Sequence, residues 1–181
     1  MFGDRWNFPG VGLVRLAVPG DSVLARIDDS WPGLRSPSSE SRWWSWRKIM
    51  DSALDRFVLR DTGGGPLALW SSVKSSPLRL PGGRYYRLDY LEVSPRSRKV
   101  RLGAFLMTLV ARRAAEIGAG GVVFGALPEA APFYETIGFQ GGSVAGWQTE
   151  RGLIPYHLEG EALERLIELG NAFLEEDAAE E

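Results

Sequence analysis

The stretch Tyr85–Gly118, YYRLDYLEVSPRSRKVRLGAFLMTLVARRAAEIG, decides the fold. Tyr85 to Val93 reads as a strand, Ser94 to Lys99 as a basic loop, and Val100 to about Ile117 as an amphipathic helix. A strand that feeds basic residues and a glycine straight into a helix N-terminus builds an anion site. Unpaired backbone N–H groups and the positive end of the helix dipole converge there. The stretch is therefore expected to cradle phosphate.

Outward from it, GAGG punctuates the chain and GVVFGAL (Gly121 to Leu127) reads as a short buried strand, which completes a strand–helix–strand unit. Pro128 suits the first turn of a short helix, PEAAPFYETIG, closed by Gly138. FQGGSVAGWQ and LIPYHLEG are expected to pair as a terminal hairpin around TERG, before a last helix carrying Leu163, Leu166, Ile167 and Phe173. On the other side, VGLVRLAV (Val11 to Val18) opens as a strand ended by Pro19 and Gly20, and Asp21 is expected to cap the helix DSVLARIDDSW. Ser39 or Ser41 is positioned to cap a second helix with Trp43, Trp44, Trp46, Ile49, Met50, Ala53 and Leu54 on a broad apolar face. DRFVLRD, TGGG and PLALWSSVKSS form a hairpin, and LPGG turns into the long strand RYYRLDYLEV.

Composition narrows the chemistry. The chain of 181 residues, 44% hydrophobic, can bury a real core and fits one domain, expected over 1–160, followed by a C-terminal helix and acidic tail over 161–181. With no cysteine and a single histidine, His157, thiolate metal sites, cysteine nucleophiles and serine–histidine triads are set aside, and no metal site is expected. No apolar run reaches the roughly 20 residues of a membrane helix. The opening MFGDRWNFPGVG lacks the apolar core of a signal peptide, so the expected location is cytoplasmic, away from membranes. A net charge of −2 speaks against nucleic acid as partner. It hides a segregation, however: Arg79 to Arg113 holds nine Arg and Lys against Asp89 and Glu92, and Glu159 to Glu181 holds nine acidic residues against Arg165. The basic block coincides with the phosphate cradle and suggests a nucleotide-bearing cofactor; the acidic end reads as a solvated tail.

The order of elements and two motifs resemble the GNAT superfamily of acyl-coenzyme A dependent N-acyltransferases. LEVSP matches the Leu-x-Val-x-Pro end of that family's central strand through Leu91, Val93 and Pro95, and RKVRLG matches its Arg/Gln-x-x-Gly-x-Gly/Ala loop through Arg98 and Gly103. AAPFYETIGF matches the later Phe-Tyr-x-x-x-Gly-Phe through Tyr134, Gly138 and Phe139. Arg101 stands where the family has its first loop glycine. It is read as able to take helical angles and add a charged contact, or as an obstruction to the cofactor. Leu127 stands near the place of the family's asparagine. The resemblance implies an α/β fold with a mixed, mostly antiparallel central sheet of six to seven strands, splayed in the middle and flanked by helices.

It also implies acetyl-CoA as acyl donor. The pantetheine arm would lie along the backbone at Leu91 and Val93, and the pyrophosphate against Arg98, Lys99, Val100, Arg101, Leu102, Gly103 and Ala104. The Val93 N–H would polarise the thioester carbonyl, and Tyr134 would protonate the departing thiolate. The base stays open between Glu92, Asp89 and a water chain; Glu135, beside the tyrosine, is expected to point away. His157 reads as a strand residue. The tryptophans of the second helix are core or the wall of an acceptor pocket. The acceptor would be an amine of a small molecule, peptide or protein. Two alternatives remain, a toxin-like acetylation of aminoacyl-tRNA and a GNAT-like scaffold that has lost catalysis. A homodimer is possible.

Overall fold

The structure, a computed structural model, describes residues 5–31 and 45–172, with the backbone course alone at residues 98–100. Ser39, Ser41, Trp43, Trp44, Phe173 and the acidic tail lie outside the described residues. In chain order the elements are β1 (Arg5–Phe8), β2 (Gly12–Ala17), α1 (Asp21–Ser30), α2 (Trp46–Ser52), β3 (Asp55–Asp61), β4 (Pro66–Ser72), β5 (Leu78–Leu80), β6 (Gly83–Arg87), β7 (Tyr90–Val93), α3 (Leu102–Glu116), β8 (Gly121–Ala126), α4 (Ala131–Thr136), β9 (Gln140–Gly141), β10 (Ile154–Glu159) and α5 (Gly160–Asn171). Short 3-10 turns occupy Pro95–Val100 and Pro128–Ala130. The chain divides into two compact units, one of Met1–Ser71, Tyr90–Gly103 and Ala172–Glu181, the other of Ser72–Asp89 and Ala104–Asn171.

The first unit holds a sheet in the order β1-β2-β3-β4-β7. Its β1 was not expected. Four residues alternating exposed and buried, with only Trp6 and Phe8 inward, are too short for periodicity to separate them from a loop. They pair antiparallel with β2 from Arg5 opposite Arg15 to Phe8 opposite Gly12. Helices α1 and α2 bury Val23, Leu24, Ile27, Trp46, Ile49 and Met50 in one core with Val58 of β3 and Leu69 of β4. The short α2 has no cap of its own. Instead Asp28 of α1 accepts the Trp46 N–H at 2.7 Å, the Arg47 N–H at 3.1 Å and the Ser45 hydroxyl at 2.7 Å. A carboxylate from a neighbouring helix thus satisfies the orphan donors of the first turn and fixes where α2 begins.

The second unit holds a sheet in the order β5-β6-β8-β10-β9, in which β6 and β8 run parallel. The β6-to-β8 crossover runs through α3, as a parallel pair demands. This helix was read as amphipathic, but every residue from Phe105 to Ala111 is buried, Thr108 included. Thr108 avoids an unsatisfied hydroxyl by donating to the Phe105 carbonyl at 2.6 Å. The charges that suggested a wet face, Arg112, Arg113 and Glu116, gather in the last turns, with Arg113 complementing the negative helix end. At the terminal hairpin β9 is only two residues long, setting Gly141 and Gln140 opposite Tyr156 and His157 of β10. Helix α5 packs on β8 and β10 and belongs to this unit. Its Gly170 lies so close to Thr108 that an added Cβ would stand 2.5 Å from the threonine Oγ1.

The single strand expected from Tyr85 to Val93 is two strands in two sheets. Residues Tyr85 to Arg87 of β6 pair parallel with Gly121 to Val123, and Tyr90 to Val93 of β7 pair antiparallel with Ser71 to Ala68. The expected six-to-seven-stranded sheet with a break in its middle is therefore realised as two five-stranded sheets, the chain crossing between them at Leu88 and Asp89. No described helix is long and apolar enough to cross a membrane.

Candidate functional site

Each unit carries its own set of groups. In the first, β7 is the terminal strand of its sheet, with Leu91 opposite Trp70, Glu92 opposite Leu69 and Val93 opposite Ala68. Leu91 and Val93 are half-buried. Glu92 is buried, and the Trp46 indole N–H donates to its Oε2 at 2.6 Å. The chain of causes is local. Asp28 pins the backbone of Trp46, α2 buries the ring completely, and the ring's one polar atom meets the carboxylate. Sequence reading placed Trp46 on an apolar face and missed this partner, 46 residues away, because periodicity reports which side a residue faces and not what awaits it there.

After β7, the Ser94 N–H donates to the Leu67 carbonyl at 2.8 Å, and Pro95–Val100 turns as a 3-10 helix. Arg96 reaches back to Asp61, 3.3 Å away, and Asp61 also accepts the Gly65 N–H at 2.7 Å, tying this turn to the β3–β4 hairpin. Arg98, Lys99 and Val100 lie in the turn. Arg101 follows with φ 56° and ψ 20°, the left-handed conformation that favours glycine, and its side chain is exposed. The expectation that it takes helical angles is corrected: the backbone adopts the geometry a glycine would supply, and an arginine bears the strain. A right-handed turn followed by a left-handed residue aims successive N–H groups into a concavity, a nest for an anion. Helix α3 then begins with Leu102, fully buried, and with Gly103 and Ala104, both half-buried.

In the second unit, Tyr134 on α4 is half-buried in an aromatic cluster. Its ring lies 4.5 Å from Phe124, 5.0 Å from Phe133, 5.8 Å from Tyr156 and 6.1 Å from Phe139. Burial pushes its phenol up to about 12, so it holds its proton throughout the neutral range. Tyr156 donates to Glu135 at 2.8 Å, so this carboxylate serves the neighbouring strand. Asp89 sits at the sheet crossing, 2.5 Å from Arg87 Nε, and accepts the Val73 N–H at 2.8 Å. Burial raises its pKa against the opposing pull of Val73 and Arg87. The structure therefore separates the two carboxylates that sequence left as alternatives, Glu92 bound to an indole in one unit and Asp89 anchoring a loop in the other. His157 lies in β10, its Nδ1 3.3 Å from the Gly142 carbonyl oxygen. Among the described residues no group of three or more His, Asp or Glu is placed to hold a metal ion.

A chain that leaves one sheet, enters another as its edge strand, and turns through a left-handed residue into the crossover helix has the fold of GNAT-family acetyltransferases. No family model matches the sequence, and no curated protein does. Solved structures do. A GNAT-family acetyltransferase from Listeria monocytogenes superposes with a TM-score of 0.62 over 86% of this chain and 99% of its own, at 13% identity. A putative GNAT acetyltransferase from Desulfovibrio desulfuricans gives 0.58 over 81% and 98%, at 20% identity. A chimera of the spermidine N-acetyltransferase SpeG of Vibrio cholerae and hSSAT gives 0.59 over 85% and 98%, at 12% identity.

Proposed function

We propose that this chain is an acyl-coenzyme A dependent N-acetyltransferase that moves an acetyl group from acetyl-CoA to an amine of a small molecule, peptide or protein by direct attack. The observation that carries the reading is the left-handed Arg101 at the junction of the 3-10 turn and α3. A strained backbone conformation persists only where its surroundings impose it, and here it completes an anion nest at the start of a helix. The residues fit the donor. Edge strand β7 offers an amide-rich arm a strand to lie beside, and the backbone from Arg98 to Ala104 offers N–H groups to a pyrophosphate.

Acetyl-CoA, when bound, supplies an activated thioester. Tyr134 holds the proton for the leaving thiolate. At a pKa of about 12 it is fully loaded at neutral pH, though a weaker acid than an ordinary phenol. Glu92 is the better candidate for the base, because Asp89 is committed to Arg87 and Val73, whereas Trp46 orients Glu92 within β7. The Phe124, Phe139 and Tyr156 rings around Tyr134 fix the phenol's direction and limit its contact with water.

The test is calorimetric titration with acetyl-CoA, with dephospho-coenzyme A as comparison, followed by thiol release in the presence of a panel of amines. Micromolar binding that weakens without the 3′-phosphate, with amine-dependent thiol release, is expected. No binding at millimolar acetyl-CoA overturns the reading.

A further inference from the structure

Outside the groups assigned above, the first unit carries three arginines in one cross-strand row. Arg5 of β1 stands directly opposite Arg15 of β2, and Arg15 directly opposite Arg60 of β3. Directly opposed residues project from the same face of a sheet at the closest spacing that adjacent strands allow. Like charges in that arrangement repel, and among the described residues no carboxylate pairs with Arg5, Arg15 or Arg60. The Nε of Arg60 is buried without a partner, a donor withdrawn from water with nothing to receive it. Asp61, next to Arg60 in sequence, pairs instead with Arg96 and the Gly65 N–H.

Two members of the row, Arg5 and Arg15, line a cavity of about 350 Å³ together with Leu13, Val14 and Thr62. Alternation along β2 and β3 puts Arg15 on the face of Ala17, and Arg60 on the face of Val58, where α1 and α2 pack. At Arg5 and Arg15 the same face is exposed. One wall of the cavity is thus cationic and another apolar, and its size suits a molecule of modest size.

We propose that Arg5, Arg15 and Arg60, with the cavity beside them, form a binding site for a small phosphate monoester. The phosphate lies across the guanidinium row and the organic part lies against Leu13. Three guanidinium groups favour a dianion over a carboxylate, because each offers a planar fork of donors to an oxyanion and the charges sum. Filling the site offsets the cross-strand repulsion. The proposal is independent of the acetyl-transfer reading, since none of these residues belongs to the turn before α3 or to α4.

The experiment is calorimetry on the full chain at low ionic strength with phenyl phosphate, inorganic phosphate and benzoate as probes, on the wild type and on Arg15→Gln, Arg60→Gln and Arg79→Gln. Phenyl phosphate is expected to bind more tightly than either other probe. Arg15→Gln and Arg60→Gln are each expected to weaken it by about tenfold or more, and Arg79→Gln on β5 to leave it unchanged. Arg15 is exposed, so its substitution tests the site even if Arg60→Gln destabilises the fold. Arg15→Lys, which keeps the charge and loses the fork, is expected to fall between. Undiminished affinity in Arg15→Gln, or no saturable binding below about 10 mM, overturns the proposal. So does binding that survives Arg15→Gln but is abolished by prior saturation with coenzyme A, because that binding belongs to the turn before α3.

Discussion

The turn before α3 and the helix α4 are built from opposite materials. On the proposed reading the chemistry around Arg101 resides in the backbone: a left-handed residue, a helix start and an edge strand, with the Arg101 side chain exposed and Leu102 in the core. At α4 it resides in one side chain, a phenol whose direction and pKa come from the rings around it. Backbone function tolerates sequence change, which is how an arginine can stand where the family pattern has glycine. Side-chain function does not, and the Phe-Tyr-x-x-x-Gly-Phe pattern is present in full.

Substitutions can break that contrast. The largest effect is expected from Tyr134→Phe, which keeps the ring in its cluster and removes the proton. Turnover should fall about 100-fold or more while the Kd for acetyl-CoA moves by less than about twofold. Equal loss of both would place Tyr134 in cofactor binding and dissolve the distinction. Next is Trp46→Phe, which leaves the buried Glu92 without its indole donor and a small void behind. A loss of about 3 kcal/mol is expected from urea unfolding at unchanged m-value, and a double-mutant cycle with Glu92→Gln should return a coupling of about 1 kcal/mol or more.

Alkaline pH comes third. Tyr134 and Tyr85 both titrate near 12, Tyr134 through burial and Tyr85 chiefly through its hydrogen bond to Glu159. Unfolded phenols ionise near 10, so between pH 10 and 12 the unfolded chain releases protons that the folded chain retains. Stability present below pH 10 should therefore fall as pH rises, by about 1 kcal/mol at pH 11 from Tyr134 alone, and Tyr134→Phe should lose less of it. The smallest effect tests the backbone side. Arg101→Gly should raise stability by about 1 kcal/mol by relieving the left-handed strain, while Arg101→Ala should not. If acetyl-CoA affinity holds in Arg101→Gly, the nest and not the guanidinium binds the pyrophosphate.

Much of the fold was legible before any coordinates. The β3–β4 hairpin, α3, β8 and α4 fall where apolar periodicity and the Gly and Pro punctuation put them. What escaped had a physical reason in each case. β1 is too short for its alternation to register. The chain from Tyr85 to Val93 has no break in pattern at Leu88 and Asp89, because β-rich sequence reads alike whichever sheet it joins. α3 looked amphipathic because its charges cluster at one end, which a helical wheel folds onto a side. Of the site, Tyr134 and the turn were marked by motif. The choice between Glu92 and Asp89 was not, since it depends on Trp46, Arg87 and Val73, partners chosen by tertiary structure.

The crossing at Leu88 and Asp89 also bears on how the chain comes off the ribosome. Every strand of the first sheet has been synthesised once Val93 emerges, and α1 and α2 with them, so that sheet can close while the rest is still being made. The second sheet cannot. Its β5 and β6 emerge early, but β6 must wait for β8, the far side of a helix buried around most of its girth, and β8 for β10, which ends at Glu159. In the interval β6 carries Tyr85 and Tyr86, both buried in the finished fold, with an open edge on the side that β8 will take. Vectorial synthesis thus gives this protein one early half and one late half, and the late half is where a chaperone would be needed.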